Sequence, residues 1–365
     1  SKRDLIGWTL ILPTVLQLTA LVLFLSPKQL KVLVKVTLFR HGDRSPVKAY
    51  PTDPYQENDW PQGFGQLSQE GMRQHLNLGQ FLRDRYKGFL SESYDRHEIL
   101  VRSTDYDRTL MSAEANLAGL YPPSGQQVFT PSLKWQPIPV HTVPESEERS
   151  RHNMSAPDWV TPDVMNKLRE LKDFGFQAMF GVYNQQEKSR LQGGMLLGEI
   201  VKNLSKMAVP DPTQRLKLMM LSAHDTTVAA LQASLNVFSG VQPPYASCHM
   251  FELYREENGS ASVSMFYRND SAVEPYPLQL PGCSLDCPLD DFVRITKLSV
   301  SDDRDKECQV PSEGRDKEVI ISLALSGCLL LLLIALLLGV ICWQKQPVSS
   351  RGYHHVINQE VGEES

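Results

Sequence analysis

The feature that most restricts the fold is an uncharged apolar run near the C-terminus, VIISLALSGCLLLLLIALLLGVIC, from Val319 to Cys342. A run of this length can cross the hydrocarbon core of a bilayer as a helix, which pairs its backbone polar groups internally. We therefore predict one transmembrane helix over residues 318–342. It would separate a large body, residues 28–317, from a short tail, residues 343–365.

A second apolar stretch lies at the other end of the chain, where Leu5 to Leu25 follow Lys2 and Arg3. Basic residues before an apolar core are typical of a signal peptide, so residues 1–27 are predicted to be a cleaved signal or an uncleaved signal-anchor. Four N-x-S/T sequons precede the span, starting at Asn153, Asn203, Asn258 and Asn269. They agree with a secretory route. The expected topology is single-pass type I, with a glycosylated lumenal body and a cytoplasmic tail.

Composition and cysteine spacing bound the nature of the body. The chain of 365 residues carries a formal net charge of −5, so nothing in its charge favours a nucleic-acid partner. Its 41% hydrophobic content is enough for one large globular domain or two modest ones. Cys283 and Cys287 are close enough for a small-loop disulfide, whereas Cys248 and Cys308 could pair with each other or stay free.

Three short β-rich segments of the body each end in charged residues: KVLVKVTLFRH, EILVRSTD and LKLMMLSAHD. Each is followed by a predicted helix, and before the second helix Thr104 and Asp107 have the spacing of a capping box. Strands alternating with helices predict an α/β fold with an open, mostly parallel, doubly wound sheet. Two further helical segments within residues 145–210 are interpreted as a smaller helical lobe over the sheet edge.

Charged and imidazole side chains collect at the carboxyl ends of these strands, where open α/β sheets bind their ligands. The side chains at or beside these ends are Arg40, His41, Arg44, Arg102, His224 and Asp225. The probability that the pattern R-H-G-x-R-x-P, seen in RHGDRSP, occurs by chance in a chain of this length is below ~10⁻³. Guanidinium groups match phosphate oxygens, and positions before helix N-termini favour an anion. The sequence therefore predicts a phosphate site.

In such a site His41 has a chemical role, because a ring nitrogen can attack phosphorus and form a phosphohistidine. The surrounding arginines favour the neutral, nucleophilic imidazole. Asp225 is the candidate acid that protonates the departing alcohol. A two-metal site built from His41, Asp43, His224 and Asp225 is the alternative, and the arginines would make it electrostatically costly. We expect neither a metal nor another cofactor.

Several stretches of the body carry a resemblance to one enzyme family. RHGDRSP at 40–46, RSTDYDRTLMSAEANLAGL at 102–120 and SAHDTT at 222–227 resemble motifs of the histidine acid phosphatases. The resemblance implies a phosphoglycerate-mutase-like fold, with His41 as the phosphorylated nucleophile and Asp225 as the proton donor. It further implies phosphate monoester substrates, a homodimer, and phosphate binding by Arg40, Arg44, Arg102 and His224.

The tail contains a short pattern with a meaning in that family. Tyr353-x-x-Val356 matches the tyrosine-based pattern through which a lysosomal member of the family is internalised. We therefore expect endocytic sorting adaptors to bind the tail. The expected destination is the lysosomal membrane and lumen, reached through the secretory pathway and by way of the cell surface.

The body departs from the family pattern after Pro144. Only 11 residues separate Pro144 from Ala156, where the family has several dozen more, part of the helical lobe. The resemblance places the disulfide partners of Cys248 and Cys308 in that missing stretch, and each lost disulfide costs about 2–5 kcal/mol. Two alternatives therefore stay open: a catalytically impaired or misfolded variant with at most a binding role, or a relative acting on inositol or sugar phosphates.

Overall fold

The computed structural model describes residues 31–49, 53–142, 162–182, 184–308 and 312–344. Residues 1–27, Asn153, Tyr353 and Val356 lie outside the described residues. The strands are β1 (Lys31–Arg40), β2 (Ile99–Ser103), β3 (His141–Thr142), β4 (Leu218–Ala223), β5 (Cys248–Arg255), β6 (Ala261–Arg268), β7 (Tyr276–Leu278) and β8 (Asp286–Pro288). The α-helices are α1 (Gln69–Arg85), α2 (Asp107–Leu120), α3 (Pro162–Phe180), α4 (Gln185–Ala208), α5 (Asp225–Ser234), α6 (Leu289–Thr296), α7 (Arg304–Glu307) and α8 (Ser312–Gln344).

The strands of the described residues form one eight-stranded sheet in the order β3-β2-β4-β1-β5-β6-β7, with β8 paired to β6. β1 to β4 pair in parallel, whereas every pairing of β5 to β8 is antiparallel. The α/β class is confirmed, but the sheet is mixed rather than mostly parallel. The reason is local, because β5 and β6 are joined only by residues 256–260, and so short a connection forces an antiparallel neighbour.

Helices cover both faces of the sheet, as a doubly wound fold requires. On one face Val34, Val36 and Leu38 of β1 pack in a cluster with apolar residues of α4, α5 and α6, namely Leu197, Ile200, Leu204, Val228, Leu231 and Phe292. On the other face Phe39 and Val101 pack in a cluster with residues of α1 and α2, namely Leu78, Leu82, Ala113 and Leu117. Successive side chains of a strand point to opposite faces, so β1 contributes to both clusters.

The two helices predicted for residues 145–210 are present as α3 and α4. The apolar residues of α4 pack over β1 in the layer already described, because they recur at helical spacing on one face. Phe176 and Phe180 of α3 pack against Ala229, Ala230 and Ala233 of α5. The face of the sheet therefore carries α4 directly, and α3 lies on α5.

The cysteines of the described residues follow the sequence reading. Cys283 and Cys287 form the predicted disulfide, with an S–S distance of 1.91 Å. Cys248 is a buried free thiol on β5, and Cys308 is an exposed free thiol. Of the two possibilities left open for Cys248 and Cys308, the structure has the unpaired one.

The C-terminal unit, which begins at Cys308, contains the long helix α8. Its segment Ile321–Ile341 is 21 residues long with a mean hydropathy of 2.9, which meets the length and composition of a bilayer-spanning helix. The apolar run from Val319 to Cys342 is thus helical throughout, as predicted.

A buried group of charges occupies the middle of the sheet. Lys35 of β1 is 4% exposed, and its Nζ lies 2.7 Å from Oε2 of Glu252 on β5. Nε of Arg85 donates to Oε1 of the same carboxylate at 3.0 Å, and the hydroxyl of Tyr254 donates to Oε2. Burial lowers the pKa of Lys35 to about 8, although Glu252 opposes the shift. We call Lys35, Arg85, Glu252 and Tyr254 the mid-sheet cluster.

Candidate active site

The RHGDRSP segment begins at the carboxyl end of β1, in the parallel half of the sheet. The backbone N–H of His41 donates to the carbonyl of Ala223 at the end of β4, at 2.9 Å, so the two strand ends stay together. Gly42 passes close to the first turn of α1, where a Cβ would lie 2.4 Å from the carbonyl oxygen of Gly71. Only glycine fits this approach, which explains the glycine of the motif.

His41 is buried, with 3% of its surface exposed. Its Nδ1 lies 2.8 Å from the carbonyl oxygen of Gly42. A carbonyl can only accept, so Nδ1 carries the proton and Nε2 carries the lone pair. Burial holds the pKa of His41 well below 6.5, and the charges of Arg40 and Arg108 lower it further. The lowered pKa favours the neutral imidazole, with the lone pair on Nε2.

His224 lies beside His41, with their ring centroids 5.5 Å apart. It is the N-cap residue of α5, and burial, followed by the charge of Arg108, lowers its pKa to about 4. Its Nε2 lies 3.1 Å from Oγ1 of Thr104, which also contacts Thr109 at 2.9 Å. The predicted capping box of Thr104 and Asp107 is wrong, because the N-cap of α2 is Tyr106 and Thr104 turns inward to His224 instead.

Asp225, the first residue of α5, is linked on both carboxylate oxygens. Oδ2 lies 3.1 Å from Nη2 of Arg40 and accepts from Nε2 of Gln242, while Oδ1 accepts from the backbone N–H of Thr226 at 2.8 Å. Burial acts to raise the pKa of Asp225, but Arg40, Gln242 and Thr226 together hold it below the usual value. The lowered pKa favours the ionised carboxylate of Asp225, and a nearby anion would shift that pKa upward.

Arg40 and Arg44 lie at the same strand end. Arg40 donates through Nη1 to the carbonyl of Pro243 at 2.7 Å, and its guanidinium lies 3.9 Å from the centre of the Tyr245 ring. Arg44 donates to the carbonyl of Ser45 at 2.9 Å, and its charge also lowers the pKa of His224. The structure thus brings Arg40, His41, Arg44, His224 and Asp225 together, as the sequence predicts.

Arg102 does not join this group. It is exposed on β2, level with Leu221 of β4, two residues short of the strand end that carries His224. Arg108, in the first turn of α2, acts with its charge on both His41 and His224, as Arg40 does, and its guanidinium lies 4.7 Å from the Tyr106 ring centre. Sequence reasoning placed Arg102 at the strand end and missed Arg108. The signal was the position of Arg108 in the first helical turn, where anions bind.

Lys172 of α3 is a second cation that sequence reasoning missed. It is half-buried, and burial together with Arg40 lowers its pKa, while Asp225 opposes the shift. With Arg40, Arg44 and Arg108 it adds to the positive charge near His224 and Asp225, while Asp173 and Asp225 act against that charge at Lys172. Such a concentration of positive charge favours a ligand that carries more than one negative charge, such as a phosphate group.

The sequons of the described residues differ in their surroundings. Asn258 is exposed in the connection between β5 and β6, and its Oδ1 accepts from the backbone N–H of Ser260 at 2.9 Å. Asn269 is exposed directly after β6. Asn203 is half-buried within α4, and its side-chain amide donates to the carbonyl of Glu199 at 2.7 Å.

The fold and the site together define a class: α/β proteins that bind phosphate at strand ends beside a neutral histidine. A profile of the histidine phosphatase superfamily (branch 2) matches residues 31–156 and 147–268. The chain is 48% identical to the lysosomal acid phosphatase of Rattus norvegicus over 401 aligned positions, 92% of this chain and 94% of that protein. The chain therefore belongs to the histidine phosphatase superfamily, branch 2, and the resemblance seen in its motifs is confirmed.

Other relatives agree. Identity is 47% with the lysosomal acid phosphatase of Homo sapiens, over 99% of each chain, and 42% with the prostatic acid phosphatase of Bos taurus, over 80% of this chain and 91% of that one. The apo phytase of Hafnia alvei has the same fold, with a TM-score of 0.59 at 18% identity, over 78% of this chain and 100% of that one.

The comparison with the human protein also bears on the missing segment. The match runs over 425 aligned positions, whereas this chain has 365 residues, so at least 60 of those positions have no counterpart here. The sequence analysis predicts that the missing segment belongs between Pro144 and Ala156, within residues that the structure does not describe.

Proposed function

We propose that this chain is an acid phosphatase that hydrolyses phosphate monoesters through a covalent phosphohistidine on His41. The observation that carries the proposal is the state of His41, whose Nδ1 proton is engaged by Gly42 and whose Nε2 is held neutral by burial. A nucleophile of this kind works in acid, where an ordinary histidine would be protonated. The identities of 42–48% to lysosomal and prostatic acid phosphatases support the same reaction.

The proposed reaction has two steps, each assigned to residues of the site. Nε2 of His41 attacks phosphorus, the bond from phosphorus to the ester oxygen breaks, and Asp225 gives its proton to the departing alcohol. The carboxylate of Asp225 then takes a proton from the water that cleaves the phosphorus–nitrogen bond. Phosphate binding is assigned to Arg40, Arg44, Arg108 and His224, with Arg108 in the place first given to Arg102. Bound phosphate opposes the pull of Arg40 on Asp225 and raises its pKa, so that it can hold the proton.

The test is hydrolysis of p-nitrophenyl phosphate by the detergent-extracted full chain at pH 5, with trapping of the phosphorylated protein. We expect turnover and an acid-labile, base-stable phosphoprotein, both lost in His41→Ala. His97→Ala, which removes an exposed histidine, is the matched control. Hydrolysis at the normal rate in His41→Ala would overturn the proposal.

A chain that folds but turns over poorly is a second candidate, and two observations favour it. At least 60 aligned positions of the human relative are missing, and Cys248 and Cys308 are free thiols. Circular dichroism with a thermal melt, measured on the sample used for the phosphatase assay, separates the two candidates. A cooperative melt without turnover supports the second.

Delivery and assembly complete the proposal. The apolar segment Ile321–Ile341 and the lysosomal relatives support a type I protein of the lysosomal membrane. Tyr353 and Val356 would bind sorting adaptors, so Tyr353→Ala should retain the protein at the cell surface.

We also propose glycans at the four sequons and a homodimer; a mass equal to one chain in size-exclusion chromatography with light scattering would refute the dimer.

A further inference from the structure

A short segment after α5 contacts the proposed acid from outside the motifs. This segment runs from Gly240 to Ala246 and has a left-handed residue at each end, with φ of 83° at Gly240 and 54° at Ala246. The carbonyl of Pro243 accepts from Arg40, and the Tyr245 ring lies over the same guanidinium. The segment is therefore fixed against the strand end that carries His41.

Gln242 connects this segment to two acidic side chains. Its side-chain amide Nε2 donates to Oδ2 of Asp225. Its backbone N–H donates to Oδ1 of Asp173 on α3, at 2.9 Å. The backbone is thus held by α3, and the side chain reaches the carboxylate at the start of α5. The side chain is half-buried, so water has restricted access to this bond.

The hydrogen bonds of Asp225 divide its two oxygens. A carboxylate has about four acceptor sites, two on each oxygen. Oδ2 accepts the hydrogen bond of Gln242 and lies 3.1 Å from Nη2 of Arg40 in an ion pair, so a donor and a positive charge both favour the negative charge on this oxygen. Oδ1 takes only the backbone N–H of Thr226, among the bonds of the described residues, and keeps one site for a proton.

We propose that Gln242 is a positioning residue that donates to Oδ2 of Asp225 beside the charge of Arg40, so that the proton given to the leaving alcohol resides on Oδ1. The inference rests on the proposed function, in which Asp225 is the acid. During phosphorylation of His41, the proton passes from Oδ1 to the ester oxygen as its bond to phosphorus breaks and the bond from Nε2 to phosphorus forms. Asp173 is the anchor that keeps Gln242 in reach.

Without Gln242 the proton can sit on either oxygen of Asp225, and only one orientation is productive. The loss must therefore depend on how much the leaving group needs a proton. An alkyl phosphate releases a basic alkoxide and depends on the acid, whereas p-nitrophenyl phosphate releases a stable anion and hardly depends on it. A merely structural role of Gln242 would affect both substrates alike.

The experiment compares the full chain with Gln242→Met, which keeps the length of the side chain and removes its amide. kcat/KM is measured from pH 4 to 7 for β-glycerophosphate and for p-nitrophenyl phosphate, because kcat/KM reports the steps up to phosphorylation whichever step limits kcat. We expect a loss of about tenfold with β-glycerophosphate and of no more than about twofold with p-nitrophenyl phosphate. The descending alkaline limb should also move to higher pH, because the carboxylate has lost a donor that favoured its ionised form.

Gln242→Glu and Asp173→Ala complete the set. Gln242→Glu places a second carboxyl beside Oδ2 and should give the same selective loss, while Asp173→Ala removes the anchor and should give a smaller loss of the same kind. Equal losses with both substrates, or an unchanged pH profile in a Gln242→Met chain with a normal melt, would overturn the inference and leave the proposed function standing. An inactive but folded wild-type chain would overturn both.

Discussion

Lys35 and Arg40 are two buried cations of β1, five residues apart in sequence. Their neighbouring charged groups differ. In the mid-sheet cluster Lys35 and Arg85 share the carboxylate of Glu252, whose two oxygens both have close donors. Tyr254 and Tyr86 place their rings against Lys35, 4.5 and 5.4 Å from its nitrogen. The cluster is complete without a ligand, and its contribution is to stability.

The site at Arg40 is not complete in the same way. Four cations act on the neighbouring pair His224 and Asp225. Arg40, Arg44 and Arg108 lower the pKa of His224, and Arg40 and Lys172 lower that of Asp225. Like charges held together in a buried place are unfavourable unless an anion joins them. The comparison teaches that buried charge alone does not mark a functional site. What distinguishes the site is the position of its cations, which lie at the carboxyl end of a strand, where ligands bind in such sheets.

The largest effect on stability should come from breaking the mid-sheet cluster. Glu252→Gln leaves the buried Lys35 without its counterion, and we expect a loss of about 3–5 kcal/mol in the free energy of unfolding, measured by urea titration. The double variant Lys35→Met with Glu252→Gln should recover part of that loss, because the buried lysine is then gone, while Arg85 still lacks its carboxylate partner. The phosphatase activity per folded molecule should stay normal. A marked fall in activity with little change in stability would contradict the structural role of the cluster.

The site should respond in the opposite manner to the loss of one cation. We expect Arg108→Ala to lower kcat/KM by about 10²–10³-fold, because a half-buried cation of the proposed phosphate site is lost, with an unchanged melting temperature. Arg102→Ala is the matched control, since Arg102 is exposed and should be replaceable with less than about a twofold change. If the two variants lost activity equally, the assignment of Arg108 over Arg102 would be wrong.

A third test uses a buried histidine that is outside both charge groups. His249 of β5 is 0% exposed, with its ring 4.6 Å from the Phe251 ring centre, and burial lowers its pKa to about 3. The unfolded chain, with an ordinary histidine pKa near 6.5, binds more protons as the pH falls below that value. His249 therefore contributes a loss of about 2 kcal/mol in stability between pH 7 and pH 5.

His249→Leu should reduce that pH-dependent loss by about 2 kcal/mol, read as the difference between unfolding free energies at pH 7 and pH 5. Phe251→Leu is the control, because it removes packing from the same strand without a titrating group, and should lower stability equally at both pH values. An equal pH dependence in wild type and His249→Leu would show that the histidine is hydrated or partnered in solution.

Sequence alone could place much of this site because it depends on strand ends. His41 and the His224–Asp225 pair follow β1 and β4, and parallel neighbouring strands present their carboxyl ends at one edge. Arg108 was missed because strand ends alone were used to choose site residues. Arg108 lies beyond the strand, in the first turn of α2. Gln242 was missed because it lies in a connection with no pattern of its own. Its role is visible only once that connection is seen to fold over Asp225.

The sheet was harder to predict in its antiparallel half. Alternating strands and helices describe β1 to β4, but β5 to β8 follow one another without helices. The sequence of a short apolar strand does not indicate whether it pairs in parallel or antiparallel with its neighbour. The position of α4 also could not be predicted from the sequence, because an apolar stripe does not identify the surface on which it packs. In the structure α4 packs against β1.

The smallest expected effect tests the comparison most directly, because it asks whether the surplus of positive charge at Arg40 takes up an anion. Inorganic phosphate at ten times its dissociation constant should raise the free energy of unfolding by about 1.4 kcal/mol, through binding to the folded state alone. Sodium chloride at equal ionic strength is the control for screening.

Two variants locate the effect of phosphate. Arg108→Ala should lose most of the phosphate-induced stabilisation, because a cation of the anion site is gone. Glu252→Gln should keep the full increment on its lower baseline, because the mid-sheet cluster takes no part in binding. If phosphate stabilised Glu252→Gln less than the wild type, the two regions would be coupled, and the division of β1 into a closed structural half and an open ligand-binding half would fail.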